Sequence, residues 1–265
     1  MKILLSNDDG VLAPGIQIMT KVLADRGVPA LVVAPDRERS SIGHALTLNR
    51  PLRLWSLEPG VFPHAVPAYA CDGTPSDCVV LGVGELSQDV TLVLSGINRG
   101  PNLGDDLTYS GTVSAAMEGL ILGYGALAVS LDCRNSDPTA HYSTAATVVL
   151  GFLEWMEAHP TEEKILYNIN VPNVPLRDLQ GVLPTRKGIR QYRDKITRLR
   201  DPHGKDCYWI GGFPEDELEE GTDVWAVSRG FASVTPVHMD MTHFDSLREM
   251  HRDGFSGLLH PRTAG

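Results

Sequence analysis

Short runs that are apolar from end to end alternate with longer segments in which apolar residues return every three or four positions. Residues 2–6 (KILLS) form the first such run and lead into the polar loop Asn7-Asp8-Asp9-Gly10. Ile16, Met19 and Leu23 then recur at a spacing that puts them on one face of a helix, which Gly27 closes. Residues 30–34 (ALVVA) form a second continuous run, ended by Pro35. Strand, helix and strand at this spacing predict a right-handed parallel βαβ unit. The pattern returns with a strand over 89–95 (DVTLVLS), a small-residue helix over 112–122 and a strand over 126–131 (ALAVSL). An amphipathic helix over 145–156 and a strand over 165–171 complete it. Runs that are apolar throughout belong to strands covered on both faces. The expected fold class is therefore α/β, a Rossmann-like, doubly wound, mostly parallel sheet.

Past Pro172 the texture changes. Charged segments, Tyr192, Tyr208 and Trp209, and the alternating run 231–237 predict β-hairpins, and the acidic stretch 215–223 predicts an exposed loop. The expected organisation is a catalytic core over 1–172 and a hairpin-rich appendage over 173–265.

Hydrophobic residues make up 42% of the 265 positions and charged residues 21%, ordinary values for a chain that buries a core. A formal net charge of −10 argues against a nucleic-acid polymer as partner, which needs a basic face. It leaves a small anionic substrate open, because a bound cation reverses the local field. Cys71, Cys78, Cys133 and Cys207 form no CxxC pair, so neither a zinc ribbon nor a thioredoxin-like site is indicated. No basic leader precedes a signal-length apolar stretch and no window is long and apolar enough to span a bilayer. A soluble cytoplasmic protein with no membrane partner is expected.

In an open α/β sheet ligands bind outside the carboxyl ends of the strands. Three polar loops leave strands at that edge: residues 7–10, residues 35–41 and residues 95–104. Asp8 and Asp9 are adjacent carboxylates directly after a buried strand, a costly arrangement unless a cation neutralises them. Taken singly, one aspartate would read as a helix cap or turn residue. Ser40 and Asn98 add a hydroxyl and an amide oxygen, which makes an all-oxygen donor set suited to Mg²⁺, Mn²⁺ or Ca²⁺. Tyr109-Ser110-Gly111-Thr112 enters the next helix, and a helix N-terminus of this composition either cradles a phosphate or is an ordinary cap. His44 is open between a proton donor and a structural histidine, and Arg99 between phosphate neutralisation and loop bracing.

The segments ILLSNDDGVLAPGI, VVAPDRERSSIGHALTL, CDGTPSDCV and LVLSGINRGPNLGDDLTYSGTVSAAMEG closely resemble the SurE family of survival proteins, which are 5′/3′-nucleotidases. The resemblance is dense over residues 1–131 and continues to about 240, through NINVP at 168–172 and SVTPVH at 233–238. It implies that Asp8, Asp9, Ser40 and Asn98 hold one divalent metal ion per subunit, with Ser41 the alternative to Ser40. It also implies that Asn7, Asn102, Ser110, Gly111 and Thr112 lie at the phosphate of a nucleoside monophosphate, and that the C-terminal arm joins a homodimer or homotetramer. The expected reaction is metal-dependent hydrolysis of nucleoside 5′- and 3′-monophosphates, extending to short polyphosphate. Asp8 and Asp9 are the expected catalytic acids, serving as base for a water activated at the ion or by direct attack; water is favoured because neighbouring side chains diverge. Two rival readings are a receiver-like Mg²⁺-binding module, for which the late lysine is missing, and a non-catalytic nucleotide-sensing module.

Overall fold

The computed structural model describes residues 1–63, 66–134, 136–192, 195–212, 214–252 and 255. Strand β1 (Ile3–Ser6) is buried along its whole length, and helix α1 (Pro14–Asp25) opens with a proline in its first turn. Proline is at home there because that N–H has no intrahelical partner. Strand β2 (Ala30–Pro35) follows, then β3 (Leu54–Ser56), β4 (Ala68–Cys71) and helix α2 (Pro75–Leu81). Thr74 and Asp77 start α2 with a reciprocal capping box. Next come β5 (Leu92–Arg99), α3 (Gly111–Ile121), β6 (Gly125–Asp132), α4 (Tyr142–Ala158) and β7 (Leu166–Pro172).

The remaining elements are β8 (Val182–Pro184), β9 (Arg190–Tyr192), β10 (Lys195–Arg200), β11 (Asp206–Gly211), β12 (Pro214–Asp216), α5 (Asp223–Ser228), β13 (Ala232–Val237) and α6 (Phe244–Arg252). The main sheet has the order β3-β4-β2-β1-β5-β6-β7-β13-β8. From β4 to β7 every neighbouring pair is parallel. Strand β13 runs antiparallel to β7, β8 parallel to β13, and β3 closes the other edge antiparallel to β4.

The sheet is covered on both faces. Ile3 and Leu5 of β1 point into the cluster that holds Ile16 and Met19 of α1 and Val149 of α4, while Leu4 points the other way, toward Val79 of α2 and Ala115 of α3. A continuous apolar run thus serves two cores at once, as a doubly wound sheet requires. Strand β1 is paired with β2 on one side and β5 on the other, so the strand order reverses there. That reversal leaves a crevice at the carboxyl ends of β1 and β5.

Three sequence expectations are revised. The stretch 96–99, read as the start of a loop, continues β5 after a shift of register between Ser95 and Asn98. Gly96 sits at a φ of 136°, and a Cβ there would stand 2.4 Å from the carbonyl oxygen of Val129. Glycine alone meets both demands, and the bulge re-aims Asn98. The run 231–237 forms no hairpin; it supplies β13, and β8 also joins the main sheet, so the sheet draws on residues on both sides of Pro172. Hairpin pairing does occur at β10–β11 and β9–β12. Within the stretch 215–223, β12 pairs with β9, and Asp223 is completely buried, receiving the N–H groups of Gly104 at 3.0 Å and Gly188 at 2.7 Å. The end of the expected appendage, residues 256–265, lies outside the described residues.

Gly15 places α1 directly on the β5 bulge, since a Cβ at that position would lie 1.9 Å from the Ile97 carbonyl oxygen. Gly15→Ala is expected to cost about 1–3 kcal/mol by overpacking, which for a chain of this size lowers Tm by several degrees. A thermal melt checks it, and an unchanged Tm would show that α1 does not seat against the bulge.

Candidate active site

A cavity of about 890 Å³ opens at the crevice, and its wall includes Asp8, Ser40, Ser41, Asn98, Asn102 and Ser110. Loops that leave β1, β2 and β5 and the start of α3 therefore meet around one space, as the sequence analysis expects. Asp8 is 4% exposed and follows the end of β1 after one intervening residue, Asn7. Its Oδ1 accepts the Thr112 hydroxyl at 2.5 Å. Gly111 makes the approach to α3 feasible, because a Cβ there would come within 2.8 Å of the Asp8 side chain. Burial raises the Asp8 pKa above the ordinary carboxylate value, and the Thr112 hydroxyl and N–H only partly offset it.

Asp9 is half-buried, and its Oδ2 accepts the Arg99 N–H at 3.1 Å. Burial first, then the neighbouring Asp8 charge, pushes its pKa up to about 6. Among the described residues neither acid has a basic side chain within ion-pair distance. Two desolvated carboxylates with no ion-pair partner, offset only by the longer-range charge of Arg99 on Asp9, suit a cation site.

Ser40 is exposed on the loop after β2, and its Oγ donates to Glu38 at 2.7 Å. Ser41 follows it at a φ of 57°, a left-handed conformation that turns the loop. Both serines border the cavity. Asn98 spends its Nδ2 on the Gly100 carbonyl at 2.8 Å, which leaves Oδ1 as its open acceptor. The oxygen set fits a hard divalent ion. Among the described residues no three His, Cys, Asp or Glu side chains cluster at metal spacing, so the two acids would be completed by neutral oxygens. Hard ions of this kind accept such donors readily.

Three residues expected at the phosphate are absent from the cavity wall. Asn7 is fully buried and closes its own loop, giving Nδ2 to the Gly10 carbonyl at 2.9 Å and receiving the Gly10 N–H at 3.2 Å. Thr112 and Gly111 are buried under Asp8 and are absent from the cavity wall. The positive end of α3 is thus spent on a carboxylate of the chain itself. Ser110 caps α3, accepting the Val113 N–H at 3.1 Å, and does border the cavity, as does Asn102. His44 lies off the wall; its Nε2 meets Glu118 Oε2 at 2.7 Å, which is the structural alternative. Arg99 borders the cavity.

The far wall was not legible in the sequence. Arg190, Tyr192 and Ile210 come from β9 and β11, and Asp106 from the short turn Gly104–Thr108. Arg190 is 8% exposed and bonds Asp216 at 2.6 and 2.8 Å and Asp106 at 2.9 Å. Burial opposes its charge, but the Asp216 and Asp106 bonds outweigh that and hold the guanidinium firmly protonated. Tyr192 donates its hydroxyl to Asp106 at 2.7 Å. Only a run of acids at 105–106 facing a later Arg-x-Tyr could have hinted at the contact, and nothing in either segment announces its partner.

This fold and site define a doubly wound α/β protein with an acidic, amide-rich pocket at the switch point of its sheet. Residues 3–194 match the family described as Survival protein SurE. The chain is 47% identical to a 5′-nucleotidase SurE of Geobacter metallireducens over 260 residues, covering 97% of this chain and 99% of that one. It is 44% identical to a 5′-nucleotidase SurE of Synechococcus elongatus over 258 residues, covering 94% and 98%. The crystal structure of a SurE protein from Aquifex aeolicus superposes with a TM-score of 0.81 at 39% identity, covering 96% of this chain and all of that one. The chain belongs to the SurE family.

An acid whose folded pKa is raised stabilises the fold below its unfolded value and loses that contribution as pH rises through the folded value. For metal-free protein the Asp9 contribution is therefore full below about pH 4 and gone above about pH 6. Asp9→Asn removes that cost at neutral pH and, after allowance for solvent screening, is expected to stabilise the metal-free protein by about 1–2 kcal/mol. Chelator-treated samples melted at pH 7 and pH 4 check it; a variant less stable than the parent at pH 7 would show that Asp9 is not electrostatically strained.

Proposed function

We infer that this chain is a divalent-metal-dependent phosphomonoesterase that converts nucleoside 5′- and 3′-monophosphates to nucleoside and phosphate, with short polyphosphate as a further substrate. The observation that carries the reading is the pair Asp8–Asp9: two desolvated acids, Asp8 on the cavity wall and Asp9 next to it in the chain, with no ion-paired basic side chain among the described residues. The names of the similar SurE proteins as 5′-nucleotidases point to the same chemistry. Asp8, Asp9, Ser40 and Asn98 would hold one Mg²⁺ or Mn²⁺ ion, with Ser41 adjacent to Ser40 as the alternative hydroxyl. When bound, such an ion withdraws charge from the phosphoryl oxygens and lowers the pKa of an attacking water.

The protein's own residues supply the rest. Thr112 and Gly111 fix Asp8 against α3, so the acid meets its ligand without reorganising. Ser110 and Asn102 stand on the wall where the phosphoryl oxygens would lie. The acidic pair accepts the proton of the water. Tyr192 and Ile210, on the opposite wall, offer apolar surface to the nucleoside.

We extend the reading to a cytoplasmic homodimer or homotetramer. Cys71, Cys78, Cys133 and Cys207 are free thiols, which suits a reducing compartment. No helix among the described residues is long and apolar enough to cross a membrane. The β10–β11 hairpin exposes Ile196, Trp209 and Ile210 at 62%, 70% and 80%, an apolar surface of the kind subunit contacts cover.

Two measurements test the reading. Phosphate release from a panel of 5′- and 3′-monophosphates is expected to need Mg²⁺ or Mn²⁺, to vanish on exhaustive chelation and to return on adding metal back; turnover that survives chelation would refute it. Thr112→Val keeps side-chain volume but removes the hydroxyl from Asp8. It is expected to lower kcat by about 10²-fold, the usual cost of a loosened electrostatic group, and wild-type kcat and KM would remove Thr112 from any catalytic support.

A further inference from the structure

Asn102 reaches the cavity from residues 101–103, which have no regular secondary structure, so its position must be imposed from outside the loop. Two asparagines inside the main sheet impose it. Asn170 grips the Asn102 main chain at both ends: its Oδ1 accepts the Asn102 N–H at 2.8 Å, and its Nδ2 donates to the Asn102 carbonyl at 3.0 Å. Asn168 donates its Nδ2 to the same carbonyl at 2.8 Å. The Asn102 side chain donates in turn to Ser130 Oγ at 2.7 Å. Ser130, Asn168 and Asn170 are completely buried, and Ser130 stands in direct register with Asn170 on the neighbouring strand.

As sheet residues these asparagines are poor choices. Asn168 Oδ1 and the hydroxyl of Ser233, which is paired with Asn170 across β7–β13, are buried without a partner among the described residues. A buried, half-satisfied amide weakens a sheet that an aliphatic side chain would strengthen. What the arrangement secures is the loop. Three main-chain bonds fix Asn102, and a Ser130 hydroxyl can either donate or accept, so the Asn102 carboxamide is held there in either orientation.

The geometry points to Asn168 and Asn170 as positioning residues for the phosphate end of the site, acting through the main chain of Asn102. This rests on the phosphomonoesterase reading above. It also accounts for the two asparagines of NINVP at the carboxyl end of an otherwise largely apolar strand, which the metal and phosphate assignments leave unexplained.

The test uses full-length protein with Mn²⁺, assayed on AMP and p-nitrophenyl phosphate, with Tm measured alongside. Asn168→Leu is close to isosteric and also deletes the unpartnered oxygen, so Tm is expected to hold or rise while kcat falls about tenfold. Asn170→Leu releases both ends of the Asn102 backbone, and kcat is expected to fall about 10²-fold, the scale of loss for a displaced catalytic group. Ser233→Ala, a buried polar deletion beside Asn170, is expected to leave kcat and KM unchanged. An active wild type with wild-type kcat in folded Asn168→Leu would overturn the positioning role, as would an equal loss in Ser233→Ala. If Asn170→Leu does not fold, Asn168→Leu decides alone. An inactive wild type would overturn the functional reading and this role with it, a result seen before any variant is compared.

Discussion

The contact between the Asp8 carboxylate and the first turn of α3 is the constraint on which the site depends. A buried acid is unfavourable in a sheet of this kind, and it persists because the Thr112 hydroxyl and N–H and the side-chain-free Gly111 receive it. Those bonds reduce the cost of desolvation without cancelling it, so the Asp8 pKa stays raised. The contact also ties the exit of β1 to the start of α3, two points more than a hundred residues apart in the chain. Because β1 is the strand at which the sheet order reverses, the tie lies directly beneath the crevice where an α/β sheet accepts its ligand.

Around that contact the remaining polar groups are held by backbone geometry rather than by chance proximity. The β5 bulge at Gly96 re-aims Asn98, the left-handed Ser41 turns the loop after β2, and Asn168 and Asn170 fix Asn102 from inside the sheet. Each device costs some local stability, and the costs concentrate at one edge of an otherwise apolar, densely packed sheet. Strain and half-satisfied polar groups gathered in one place mark where a fold has traded stability for geometry.

The opposite wall follows a different logic. Arg190 is nearly buried between Asp106 and Asp216, so removing it would leave two partly buried carboxylates without their counter-ion. Through this network the hairpins beyond Pro172 are fastened to the loop that precedes α3, and the cavity acquires a wall from a part of the chain far from its acids.

Most of the strand and helix pattern, the parallel sheet and the acidic loop at its carboxyl edge were readable in the sequence, because hydrophobic periodicity reports burial directly; the short elements β3, β4 and α2 were not. So were Asp8, Ser40, Asn98, Asn102 and Ser110 as groups that border one cavity, since strand exits in a parallel sheet share one edge. What the sequence left open depends on contacts between distant segments. That Thr112 and Gly111 face Asp8 and not the cavity, that Asn7 closes its own loop, and that β13 enters the main sheet are decided by packing in three dimensions. The far wall built on Arg190 is of the same kind: a charge pair has no periodicity, and its partners are chosen only when the chain has folded.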